Sequence, residues 1–272
     1  MGQKPYFTQR DAAAAYEILA SASEDPREVA VLTDEEILAL GGVDSTELAG
    51  TPFLDESDLD RSAAASIAAR SLIARGLVVL DPEREENEGE ELSENAAVQP
   101  RAVQLDRTLA GLLTLRAAPL GVVNLTRRVA DQTTTLLVYL FPEGGVLDEL
   151  ITVDGYHRFS VPTRESAPAR LARYIDQDGV AGGEDGESFE GTVADFEQDS
   201  PIAQRLRDTR ALTVLTSVTG DEAIQLSFMA TSDAMFVMDI PQNENDPTVL
   251  REISGGTLQE LVAEALPVIT AQ

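Results

Sequence analysis

The sequence predicts a mixed α+β protein: an N-terminal helical segment (1–80) followed by two α-β-β-β-β-α units (104–175 and 201–272), with antiparallel meander sheets related by a pseudo-two-fold. Three observations lead there. The first eighty residues are dominated by helical periodicity. Four apolar runs flanked by helices then follow, and the same order recurs about 90 residues further on. Two acidic breaks, 81–103 and 176–200, separate the three parts.

In chain order, Thr8 is placed to cap a helix through Ala22, and Thr33 to cap a second over Asp34 to Leu40, stopped by Gly41-Gly42. Ser57 or Asp58 opens a third, in which Ala64, Ile67, Ala68, Leu72 and Ile73 share a face and Gly76 ends the last turn. Leu77 to Leu80 then reads as a strand, an order shared with the start of a winged helix. Asp81 to Ala97 holds 8 acids and 1 base and reads as a solvated linker. In the first unit a helix at Leu105 to Ala118 precedes strands at 121–129, 133–141, 146–153 and 156–161, and Thr163 caps a closing helix. In the second, a helix at 200–209 precedes strands at 211–219, 223–230, 233–240 and 248–253, and a helix from Thr257 closes the unit. Hairpin signals at Ala130-Asp131, Gly220-Asp221 and Asp154-Gly155 support these limits.

Composition narrows the function. With 43% hydrophobic residues the 272-residue chain has the makings of a substantial core. It lacks an apolar run of the ~18 residues that a membrane span requires, and MGQKPYFTQR has no signal-peptide core, so a cytoplasmic location is expected. The formal charge of −28 opposes binding to nucleic acid or anionic membrane, and neither is expected as a partner. That charge is uneven: residues 1–100 and 176–272 each sum to −15, whereas 101–175 sum to +2. In that middle segment, Arg127, Arg128, Arg170 and Arg173 are read as offsetting the acidic flanks.

Cysteine is absent, which removes disulfides and thiolate metal sites, and His157 is the only histidine. Asp154, His157 and Ser160 offer the letters of a triad. However, Asp154 belongs to a turn, and His157 and Ser160 point to opposite faces of one strand, so His157 reads as a surface or cross-strand residue. The paired glycines at 41–42, 144–145, 182–183 and 255–256 fit no nucleotide-binding pattern and read as turns. No catalytic residue, cofactor or metal is therefore expected. An enzyme built on an unrecognised carboxylate pair is kept as an alternative, as is a winged-helix regulator.

Binding surface is what remains. The strand at 133–141 is apolar on both faces, so Leu137, Tyr139 and Phe141 need a cover; Phe228, Met229, Phe236 and Met238 hold the matching positions in the second unit. These seven residues are the expected partner-binding set, with the loops 141–147 and 240–246 nearby; the alternative is that both sheets bury them in the protein's own core.

SLIARGLVVLDP (71–82), LDRTLAGLLTLRAAP (105–119) and TVLREISGGTLQELVAEALP (248–267) resemble segments of the EspG-type chaperones of ESX (type VII) secretion systems. The resemblance implies a cytosolic protein of quasi-two-fold α+β fold that keeps a helical secretion substrate, of PE–PPE or WXG type, soluble before export. It implies no catalytic residue.

Overall fold

The computed structural model describes residues 8–41, 49–80, 103–197, 201–219, 222–241, 243 and 246–267. Helix α1 (Gln9–Ala20) begins at its expected cap: Thr8 accepts from the Asp11 amide, and the Asp11 carboxylate accepts from the Thr8 amide. Strand β1 (Glu28–Thr33) is an unexpected strand in the mostly helical segment, because EVAVLT finds a ladder far along the chain. Thr33 and Glu36 form a second reciprocal cap for α2 (Asp34–Gly41); Gly42 lies outside the described residues. A short α3 (Pro52–Glu56) occupies the approach to the next helix, so α4 (Arg61–Ala74) is capped by Asp60 instead of Ser57 or Asp58. Ala64, Ala68 and Leu72 are buried, while Ile67 and Ile73 face outward.

Strand β2 (Val78–Leu80) pairs with β3 (Val103–Leu105) in a separate two-stranded ladder. Residue 103 thus belongs to a strand; the rest of the expected linker, 81–102, lies outside the described residues. Next come α5 (Arg107–Ala117), β4 (Gly121–Val129), β5 (Gln132–Leu140), β6 (Val146–Ile151), β7 (Tyr156–Ser160) and α6 (Ala167–Ile175). Thr163 stabilises a turn through Ser166 and does not cap α6 itself. The break at 176–200 contains β8 (Ser188–Gly191) and α7 (Val193–Glu197), with 198–200 outside the described residues. Then follow α8 (Pro201–Leu206), β9 (Ala211–Thr219), β10 (Glu222–Ala230), β11 (Met235–Asp239), β12 (Thr248–Ile253) and α9 (Gly255–Glu264). Gly255-Gly256 is the first turn of α9, capped by Ser254, and not a loop.

The two meanders are not separate sheets. They join in one ten-stranded sheet of order β1-β7-β6-β5-β4-β9-β10-β11-β12-β8. Strands β4 and β9 pair antiparallel from Gly121↔Thr219 to Val129↔Ala211, which satisfies two rows of backbone groups that separate sheets would leave open. Helices cover both faces. Below the sheet, α6 and α9 press Leu171, Ile175, Leu258 and Val262 onto Val123, Leu125, Val138, Leu215 and Phe228. Above it are two smaller cores. Helices α1, α2 and α5 cover Leu137, Tyr139, Leu147 and Phe159, while α7 and α8 cover Phe236 and Leu250.

The upper core depends on a close helix contact. A Cβ on Gly111 of α5 would stand 2.7 Å from the Ala14 carbonyl carbon and 2.8 Å from its oxygen in α1. Backbone atoms cannot yield as a flexible side-chain tip does. Gly111→Ala is therefore expected to lower stability by about 1–3 kcal/mol in urea denaturation, despite alanine's better helix propensity.

Candidate functional site

Four charged side chains meet inside the upper core. Asp34 opens α2 directly after β1, and β1 pairs with β7 so that Leu32 lies opposite His157. Glu149 of β6 and Tyr139 of β5 share that face through the cross-strand register, and Arg116 descends from the last turn of α5. His157 lies between two carboxylates, with Nε2 2.8 Å from Asp34 Oδ1 and Nδ1 2.6 Å from Glu149 Oε1. Glu149 Oε2 accepts from Arg116 Nε at 2.8 Å and from the Tyr139 hydroxyl at 2.5 Å. The second Asp34 oxygen accepts from the backbone amides of Phe53 and Leu54 at 2.8 and 3.2 Å, at the start of α3. The side chains of Asp34, Glu149 and His157 are 0% exposed.

Electrostatics fit a charged imidazole. Burial pulls the His157 pKa down, but the Asp34 and Glu149 hydrogen bonds outweigh it and leave it above the usual value. Burial likewise pushes Glu149 up, and Arg116 with His157 brings it below the ordinary carboxylate range. Burial, then Glu149, keeps the Tyr139 phenol protonated far into alkali. Two anions and two cations sum to zero, so the cluster can persist without water. A histidine with carboxylates at both nitrogens has the groups for acid–base chemistry. Here both ring nitrogens are already occupied and a substrate has no route to either. The cluster works as a polar staple that fixes the N-terminal segment to the sheet.

The structure decides between the two readings of His157 and between the two readings of the apolar set. His157 is a buried cross-strand residue, not a surface one; Asp154 is exposed in the turn, and Ser160 points to the lower face. The expected partner-binding residues Leu137, Tyr139, Phe141, Phe228 and Phe236 are buried, and Met229 and Met238 are half-buried. The cover they need comes from this chain's own helices. Phe228 also faces the lower core, opposite the other members of its set.

A different surface is left open. Above the sheet, the helices stand over its two halves and leave the middle only partly covered. Val122, Asn124 and Thr126 of β4 and Val214 and Thr216 of β9 are half-buried, Val218 is 45% exposed, and Gln225 of β10 is exposed. Their neighbours in sequence, Val123, Leu125, Thr213, Leu215 and Ser217, are buried beneath α6 and α9. In a chain with 48 acidic residues, none of the β4, β9 and β10 side chains on this open strip is acidic. Leu120, 50% exposed, adds an apolar end beside Val122 and Val218.

The chain matches no model of a known protein family and no curated protein. Among the described residues, no helix is long and apolar enough to cross a membrane.

Glu149→Ala leaves Arg116 and His157 without their shared anion and is expected to cost about 3–5 kcal/mol in urea denaturation. The pH dependence has a definite sign. A raised His157 pKa contributes stability fully below the unfolded value of 6.5 and loses it as pH rises through the folded value. A lowered Glu149 pKa contributes above 4.5 and loses it as pH falls. His157→Gln should therefore destabilise the protein most near pH 5–6 and progressively less in alkali, as read from urea midpoints between pH 4.5 and 9.

Proposed function

We propose that the protein is a cytosolic adaptor or chaperone that seats one helix of a partner protein on the open strip across β4, β9 and β10. The single observation behind this reading is the exposure pattern of that strip: it is only half-covered on the upper face, buried below along Val123, Leu125 and Leu215, and free of acidic side chains. Three strands span roughly 10 Å, close to the ~10–12 Å width of a helix with its side chains. Leu120, Val122 and Val218 suit an apolar end of such a helix, and Asn124, Thr126, Thr216 and Gln225 suit uncharged polar groups further along. The EspG-type resemblance names the partner class: a helical type VII secretion substrate of PE–PPE or WXG type, held soluble before export. We further read the two α-β-β-β-β-α runs as copies of one unit, their pseudo-two-fold passing between β4 and β9, which puts the strip on the axis.

A second reading, a duplex-binding winged helix, rests on the order α4, β2, β3. Arg75, which would face phosphate in that reading, is engaged by Glu36 instead, so the adaptor reading is preferred.

Co-expression with type VII substrates encoded beside this gene should yield a discrete soluble complex on size exclusion. Val218→Asp and Thr216→Arg should each abolish it while leaving the circular dichroism spectrum and urea midpoint unchanged. A complex that survives both substitutions would remove the strip as the docking surface.

A further inference from the structure

The lower face carries a second feature, independent of the strip. Between α6 and the sheet's β1 end lies a cleft of about 460 Å³, walled by Pro26, Leu136, Leu150 and Tyr174. Its polar lining is unusual for a chain of charge −28: Arg158 and Ser160 enter from β7, Arg170 and Arg173 from α6, against Glu28 and Asp148. We propose that this cleft binds a small oxyanion ligand, a phosphate or dicarboxylate compound, through Arg173 and Arg170, with Arg170 shared between the ligand and Asp148.

Arg173 has no carboxylate partner among the described residues. Arg170 is only loosely engaged. It reaches Asp148 Oδ2 at 3.2 and 3.4 Å and Ser160 Oγ at 3.5 Å, whereas a committed guanidinium–carboxylate pair sits near 2.7–2.9 Å. The Arg116–Glu149 pair in the same protein does so, at 2.8 Å. Asp148 is buried, and its Oδ1 is left without a hydrogen-bond partner. Burial pushes its carboxyl up to about 6 against the pull of Arg170. Protonation of Asp148 therefore releases the Arg170 guanidinium into the cleft just below neutral pH; the other titratable groups that face it are Arg158, Arg173, Glu28 and the Tyr174 phenol, which burial keeps neutral. The apolar walls give a bound anion a low-dielectric flank, which strengthens its attraction to the arginines.

Titration calorimetry of the full chain with sulfate, whose charge is constant between pH 5.5 and 7.5, tests the site; succinate at pH 7.5 tests the dicarboxylate arm. Saturable binding of one ion per chain is expected, weakened about tenfold or more by Arg173→Gln, an exposed substitution that leaves the core intact. Sulfate should bind more tightly at pH 5.5 than at 7.5, and Asp148→Asn should bind at pH 7.5 as the parent does at 5.5. Absence of saturable binding by either anion, or binding unchanged in Arg173→Gln, overturns the proposal; binding that does not vary with pH overturns the sharing of Arg170.

Discussion

A buried charge cannot be left alone, and much of this structure follows from meeting that demand around Glu149. The carboxylate sits in the middle of a strand, sealed from water, and accepts from an arginine, a tyrosine and a histidine delivered by α5, β5 and β7. The histidine in turn needs a second anion, which comes from Asp34 at the head of α2. Asp34 still has an oxygen to satisfy and uses it to hold the first amides of α3. Each partner is thus obliged to recruit the next, and the chain of obligations ends only on the backbone. Such a cluster adds little net stability over an apolar core, but it tolerates few alternative arrangements. Gly155 shows how tightly it is framed: at φ +71, any Cβ there would stand 2.7 Å from Asp34 Oδ2.

The joined sheet explains where the helices go and where they do not. Each half carries one helix below, α6 or α9, and more than one above, α5 with α1 and α2 on one side and α8 with α7 on the other. Below, α6 and α9 meet over the β4–β9 seam and close it. Above, α1 adds width to the α5 side and α7 to the α8 side, away from the seam, so the middle stays open. The half-covered valines and threonines there follow from the placement of the helices as much as from the strands themselves.

Local order was readable from sequence wherever one face of an element is buried. All eight strands of the two meanders fall where alternating apolar residues and turn pairs such as Ala130-Asp131 place them. Capping residues marked α1 and α2. What escaped was long-range. EVAVLT is a strand because β7 offers it an edge, and SFEG because β12 does. The polar cluster was half visible: Glu149 alternates with Leu147 and Ile151, and His157 with Phe159, so both sit on faces that must be buried. Nothing around Asp34 distinguishes it from any other acidic residue in the first turn of a helix. The apolar set at Leu137, Tyr139 and Phe141 demands a cover, but composition cannot tell a partner's helix from the chain's own.

One consequence concerns the order in which the protein is made. Asp34 lies 123 residues from the histidine it binds. On the ribosome, α1, β1 and α2 are finished long before β6 and β7 exist, so the N-terminal segment waits with neither an edge to join nor a cation for its aspartate. Reciprocal caps at Thr8–Asp11 and Thr33–Glu36 give its helices local definition in the interval. Its acidic residues keep it in water. The segment is equipped to arrive early and dock late, and the histidine closes it onto the sheet.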